Sequence, residues 1–405
     1  MTTASRTGGP LGRLRVLDLT SVVMGPYCTQ ILADLGAEVI KLESPGGDTL
    51  RVIGPGKHPK SGGTFLNLNR GKKGLVVDLQ QPAGREVCLR IASDCDVLIH
   101  SIRPQAIERL GLGYQAISAV RPDIIYCNLF GFSRDGCYAG RPAYDDIIQA
   151  MSGLAALQTA LSEKPQFMGT VVADKVGALT GVYAILAAVI HRMQTGEGQE
   201  LDVSMFEAAV SFVMAENLGG AAFRPPLGRA MYSRVIAPQR RPFRTRTDDI
   251  AVMVYTDAHW RRFAEVAGLQ HLLDDPRFVG LGERTRNTEA FYAVVQDVLL
   301  QRDAAEWLAM LFELDIPAAR IQSPDDLFED PHLQQSGFFQ PVDAGEHGTL
   351  QLPGTPVRFG RSPAGFDRAG PALGEHTREL LGAHGYSADE IDALCAAGTV
   401  RAPST

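Results

Sequence analysis

Short apolar runs recur through the first half of the chain, each closed by a turn signal and followed by a stretch with helical spacing. Residues 14–19 (LRVLDL), 37–42 (AEVIKL), 74–79 (GLVVDL), 96–100 (DVLIH) and 124–129 (IIYCNL) are too continuously apolar for strands with one wet face. They fit strands of a parallel sheet covered on both sides. Between them, residues 27–35 form a helical pattern ended by Gly36, residues 82–92 open on Pro82, and a short helix after Pro104 stops near Gly111. The alternation predicts an α/β fold of the doubly wound kind.

The texture changes at residues 168–193, where nearly every helical face is apolar or small. That pattern argues for burial on all sides, with Gly177, Ala178, Gly181, Ala184 and Ala188 keeping the surface thin for its neighbours. Thr180 and two glycines interrupt residues 176–190, so the run is expected to fall short of a membrane span. A strand at 200–203 and a helix at 205–217 follow. Residues 219–247 are rich in glycine and proline and carry seven arginines between 224 and 246, which reads as a connector. Beyond it, a strand at 250–255 and helices at 259–267, 288–300 and 304–314 suggest a second unit. The tail from 330 carries short strands at 340–342 and 350–352 and a last helix after 374–377.

Composition narrows the function classes. The chain has 405 residues, 45% of them apolar, and a net charge of −7. An acidic balance, with no regular aromatic interleaving of the connector arginines, gives no reason to expect nucleic acid or an anionic membrane as partner. Residues 1–12 contain no apolar run, so no secretory leader is expected. The six cysteines form no CxxC pair, and no metal site is expected. They read as reduced thiols of a cytoplasmic protein.

The chemistry is carried by few residues. After the first strand the chain reads T-S-V-V-M-G-P, without the G-x-G-x-x-G of dinucleotide-binding enzymes, which disfavours hydride transfer. Asp174 stands where the central helix begins. There a carboxylate can simply cap orphan amides, or it can be held ionised at the floor of a cleft as a nucleophile. The residues alone leave both readings open.

A series of motifs then carries a resemblance. R-V-L-D-L-T-x-x-x-x-G-P spans 15–26, and L-A-D-L-G-A-E-V-I-K-L-E-x-P-G-G-D spans 32–48. N-R-G-K-K and V-D-L lie within 69–79, R-P-x-x-x-E-R-L-G-L at 103–112, R-P-A-Y-D at 141–145, T-G-E-G-Q at 195–199 and L-G-E-H-T at 373–377. In this order and over nearly the full length, the chain resembles the class III coenzyme A transferases.

The resemblance implies that Asp174, at the start of the helix before T-G-E-G-Q, is the nucleophile. It also implies CoA contacts from Val23, Met24, Lys72, Lys73, Val77, Leu79, Arg103, Arg109 and Tyr144. CoA would be a substrate and product, with no permanently bound cofactor, and a carboxylic acid would be the second reactant. The fold implied is a Rossmann-like large domain built from both chain ends (1–218 and 330–405), with a connector at 219–247 and a smaller α+β domain at 248–329. The implied assembly is a homodimer of interlocked chains.

Two departures from the family pattern bear on substrate and reaction. The glycine run that forms the lid of formyl-CoA transferase is missing, and residues 239–247 are arginine-rich instead, which speaks against oxalate as acceptor. Tyr144 stands where the related 2-methylacyl-CoA racemases have a histidine, and tyrosine is a poor base at neutral pH. A CoA-transferase is therefore expected, with a racemase and a non-catalytic CoA-binding subunit as alternatives. The arginine-rich connector suggests a dicarboxylic substrate.

Overall fold

The computed structural model describes residues 8–403. Residues 1–7, most of the stretch bearing on a leader, lie outside it. In chain order the elements begin β1 (Arg15–Leu19), α1 (Met24–Asp34), β2 (Glu38–Glu43), α2 (Gly63–Leu68), β3 (Lys73–Val77), α3 (Pro82–Ala92) and β4 (Val97–His100). There follow α4 (Pro104–Arg109), α5 (Tyr114–Val120), β5 (Ile125–Phe130), α6 (Asp145–Met151), α7 (Leu154–Ser162), α8 (Val172–Thr195), β6 (Gln199–Ser204) and α9 (Met205–Asn217). Then come β7 (Phe243–Arg244), β8 (Asp249–Val252), α10 (Asp257–Val266), α11 (Leu281–Arg286), α12 (Thr288–Leu299), α13 (Ala304–Glu313) and β9 (Ala318–Arg320). The last are α14 (Pro331–Ser336), β10 (Phe339–Asp343), β11 (Thr349–Pro353), α15 (Thr377–Ala383), α16 (Ala388–Ala396) and β12 (Val400–Arg401).

The chain divides into two compact units. The first comprises residues 8–152, 170–212 and 331–403, and the second comprises residues 153–169 and 213–330. The sequence pattern predicts a large domain unbroken from residue 1 to 218, whereas α7 and the last five residues of α9 (213–217) group with the second unit. Helix α7 leaves little trace of this in the sequence, because its run LAALQTALS suits either environment.

The first unit is built on a seven-stranded sheet in the order β12-β3-β2-β1-β4-β5-β6. All neighbours are parallel except β12, which runs antiparallel to β3. Alternate residues of each strand feed opposite layers. Val16, Val39, Val97, Ile99, Ile125 and Cys127 pack on one side with α1, α8 and α9. Leu17, Ile40, Leu75, Leu98 and Tyr126 pack on the other with α3, α4, α5, α15 and α16. Both faces are covered, as the continuous apolar runs require.

Helix α8 is 24 residues long and, by length and composition, apolar enough to cross a membrane, against the sequence expectation. Thr180 does not interrupt it, because its hydroxyl donates back to the Val176 carbonyl at 2.9 Å. Within the unit it packs on α1 and the sheet. At Gly177 a Cβ would come within 2.6 Å of the Met24 methyl, so a larger residue there would push the flexible end of Met24 aside. Gly196 ends the helix at φ +80°, donating to the Arg192 carbonyl at 2.8 Å.

The second unit carries the antiparallel sheet β7-β8-β9. Its core is aromatic, with Trp260, Phe263, Phe278, Phe291 and Trp307 buried among α10, α12 and α13.

Candidate active site

In a doubly wound sheet the strand order reverses at one point, and loops leaving the carboxyl ends there diverge to opposite sides. Here β1 lies between β2 and β4, and a cavity of about 220 Å³ opens beyond the carboxyl ends of β1, β4 and β5. Its wall includes Ser21, Val22 and Met24 after β1, Ser101 and Arg103 after β4, and Gly131 and Arg134 after β5. Arg141 and Tyr144 precede α6, and Asp174 completes the wall from the first turn of α8.

The β1–α1 turn is fixed from below by buried charges. Asp18 accepts from the Thr20 amide (2.8 Å) and hydroxyl (2.5 Å), the Thr29 hydroxyl (2.6 Å) and the Lys72 ammonium (3.0 Å). Burial pushes its carboxyl up, but Lys72 and then Lys41, with the two hydroxyls, more than offset this and hold it at about 2. Lys41 donates to the Thr20 carbonyl at 2.6 Å and to Asp48 at 3.0 Å. Asp48 in turn accepts from the Val22 amide at 3.3 Å. Val22 sits at φ +70°, a strained position for a β-branched residue, and these contacts hold it there. Gly25 follows because a Cβ there would collide with Thr20.

The start of α8 is arranged differently. Its capping position is Val171, whose side chain makes no cap, and Asp174 is the third helical residue. The cap comes from Asp145, at the start of α6 and 29 residues before Asp174. Its Oδ1 accepts from the Ala173 amide at 2.7 Å and the Asp174 amide at 3.1 Å. Its Oδ2 accepts from the Gln149 side chain at 2.6 Å. The reading of Asp174 as the helix cap is thereby corrected: the orphan amides are already satisfied. Asp174 is 8% exposed, and its carboxyl is raised to about 6. Burial is the main cause and the Asp145 charge the second, opposed by a hydrogen bond from the Met24 amide at the start of α1.

The residues expected to contact CoA separate into groups. Met24, Arg103 and Tyr144 line the cavity with Asp174. Val23 is half-buried beside them in the β1–α1 turn, packed against a neighbouring apolar cluster. Arg109 is exposed in the last turn of α4, and Leu79 is half-buried against the α3 layer. Neither is among the cavity-lining residues. Lys73 is engaged by Glu38 at 3.0 Å and Glu379 at 2.8 Å.

Two of these expectations are corrected. Val77 is wholly buried in the sheet core. Lys72 is also wholly buried, and it is spent on Asp18, Thr29 (2.7 Å), Asn69 (2.9 Å) and the Pro26 carbonyl (3.1 Å). Neither side chain is available to a ligand.

Sequence reasoning missed Asp145, Arg134 and Arg141. Asp145 and Arg141 were visible as the ends of R-P-A-Y-D, but nothing local showed what they touch. Arg134 pairs with Asp202 (2.6 Å) and Glu200 (3.1 Å), while Arg141 is exposed, its guanidinium 4.5 Å from the Tyr138 ring centre. Among the described residues no group of three or more His, Cys, Asp and Glu could hold a metal ion. Arg246 of the connector pairs with Asp303 at 2.7 Å, and Arg224 donates to the carbonyls of Ala221 and Phe223.

The fold and cleft define a doubly wound α/β protein with a cavity at its switch point and, on the cavity wall, a carboxylate raised mainly by burial. Comparison with known proteins gives the family: the model for CoA-transferase family III matches residues 11–377, and the chain belongs to it. It is 31% identical to the succinate–glutarate CoA-transferase of Agrobacterium fabrum, over 92% of this chain and 95% of that one. It is 32% identical to the succinyl-CoA:mesaconate CoA-transferase of Haloarcula hispanica, over 92% and 96%. The crystal structure of a CAIB/BAIF family protein from Brucella suis superposes with a TM-score of 0.79 at 29% identity, covering 93% of this chain and 100% of that one. The protein is an enzyme, a CoA-transferase.

Proposed function

We propose that Asp174 carries CoA transfer as a covalent nucleophile, using an acyl-CoA as donor and a free carboxylic acid as acceptor. One observation carries this reading: Asp174 is a buried carboxylate with no cationic partner among the groups that shift it, on the wall of the switch-point cleft. Attack of its carboxylate on the thioester carbonyl forms an acyl–aspartyl anhydride and expels CoA thiolate. The thiolate then attacks the aspartyl carbonyl, giving an enzyme–CoA thioester and releasing the first acid. The acceptor carboxylate attacks that thioester and expels the thiolate again. Attack of the thiolate on the new acyl carbonyl returns the new acyl-CoA and free Asp174. Each step exchanges activated acyl derivatives, so little free energy is lost.

The unit containing both chain ends binds CoA. Arg103 and Arg141 on the cavity wall supply positive charge for an anionic substrate, and a dicarboxylic acid fits them better than the connector arginines. The relatives named for succinate, glutarate and mesaconate support that class. The assembly is an interlocked homodimer: Leu179, Tyr183, Ile190 and Met193 leave an exposed apolar face along α8 that a second copy covers. Six free cysteines, four of them buried, support a cytoplasmic location.

The test is chemical trapping. Enzyme mixed with succinyl-CoA, quenched with hydroxylamine and digested, is expected to carry a hydroxamate on the peptide containing Asp174. A label on another carboxylate, or none with turnover intact, overturns the mechanism.

A further inference from the structure

The carboxylate of Asp145 is buried behind the first turn of α8 and takes no part in the exchange just described. All its contacts are donated to it: two amides from α8 and the Gln149 side chain from its own helix. A negative charge therefore sits behind the nucleophile, fixed by the nucleophile's own amide. The same arrangement removes from Asp174 the capping duty that its place in the first turn would otherwise invite. An aspartate engaged with the amides of its own helix has its lone pairs occupied, whereas Asp174 accepts one backbone hydrogen bond, from the Met24 amide, and lies on the cavity wall.

We propose that Asp145 is a positioning residue for Asp174: it caps α8 in the nucleophile's place, and its charge opposes the ionised carboxylate so that acylation relieves the repulsion. The anhydride and the thioester of Asp174 are both neutral at that side chain. The repulsion present in the resting enzyme is thus absent in either intermediate, and the acylated enzyme gains relative to the free one. This rests on Asp174 being the nucleophile. The raised carboxyl of Asp174, to which the Asp145 charge contributes after burial, agrees with the geometry.

The other charged groups around Asp174 do not supply the same effect. Arg103 and Arg141 on the cavity wall act in the opposite sense, and Arg134 is neutralised by Asp202 and Glu200 of β6. Asp146 points to solvent from α6, and Lys175 is tied to the Thr170 hydroxyl at 2.6 Å. From α1 the nearest contribution is the Met24 amide, which favours the ionised form.

The experiment compares the wild type with Asp145→Asn, which keeps an oxygen for the helix amides and loses the charge. Asp145→Ser serves as a second neutral cap should the first variant fold poorly. Hydroxamate formation at Asp174 and the pH dependence of kcat/KM for succinyl-CoA are measured on each. Removing a like charge at close range is expected to move the acid limb down by roughly one pH unit. The trapped acyl-enzyme fraction should fall about tenfold above that limb, one pKa unit being a factor of ten in the equilibrium. A helix cap alone would lower the melting temperature and leave the limb in place. A double-mutant cycle adds a readout independent of turnover: at pH 8 the change in melting temperature on Asp145→Asn should be more favourable in wild type than in Asp174→Asn.

An unmoved limb with a normal label on Asp174, or an additive cycle, overturns the role of Asp145 and leaves the nucleophile standing. A wild-type label elsewhere overturns the nucleophile itself. The two failures are thus distinguishable.

Discussion

Asp18 and Asp174 are aspartates of the same α/β unit, both almost withdrawn from water, and their surroundings drive them in opposite directions. At the end of β1 the Asp18 carboxylate has two lysines within its network, a hydroxyl donor on each oxygen and an amide donor on one; it is held at about 2. At the start of α8, Asp174 has a carboxylate as neighbour and one backbone donor, and it is raised to about 6. Burial is the largest influence at both sites and pushes both upward. What differs is compensation. The first region is a support, with its charges paired and its donors spent. The second is left short of compensation, which suits the nucleophilic role proposed for Asp174.

The sharpest way to break the contrast is Asp174→Asn. CoA exchange between succinyl-CoA and a second acid should fall about 10⁴-fold or more, as for loss of a covalent nucleophile. An exchange rate within tenfold of wild type would make Asp174 a second structural aspartate. The complementary change is Lys72→Met, which strips Asp18 of its buried partner. It should cost about 3–5 kcal/mol in urea unfolding, the penalty of an orphaned buried charge.

Stability against pH separates the two regions further. A carboxyl whose folded pKa lies above its unfolded value binds its proton more tightly when folded. Its ionisation therefore opposes folding, and the cost grows from about pH 4 to about pH 6 and is complete above that. Asp174→Asn should thus gain about 2–3 kcal/mol over wild type at pH 8 and nothing below pH 4. Asp18 behaves in the reverse sense, its contribution fading as pH falls from about 4 to about 2. The smallest effect expected is kinetic: kcat/KM for acyl-CoA should drop tenfold per pH unit below about 6, as Asp174 protonates. A limb near pH 4 would mean that the cleft leaves Asp174 unperturbed.

The sequence showed the sheet well because its strands are covered on both faces, and continuous apolar runs such as LRVLDL and IIYCNL are the direct result. It singled out Asp174 only through the order of the family motifs, since a carboxylate at a helix start reads equally well as a cap. Tertiary partners were beyond its reach. Lys72 and Lys73 are neighbours in one motif, yet the first enters the core against Asp18 and the second reaches Glu38 and Glu379. Nothing adjacent to either announces which way it faces. Asp145 capping a helix 28 residues away is invisible for the same reason. The short strand β12 was likewise unreadable, two residues long and defined only by its pairing.

That strand has a consequence for how the protein is made. Val400 and Arg401 pair with Val77 and Val76, so the outer edge of β3 has no partner until synthesis has advanced by roughly 320 residues. At about 5–20 residues per second this interval is on the order of half a minute. For that time the nascent chain offers a bare hydrogen-bonding edge beside finished strands, a template for pairing with another ribosome's product. Expression yield, more than the stability of the finished enzyme, is where the placement of these two residues should be felt.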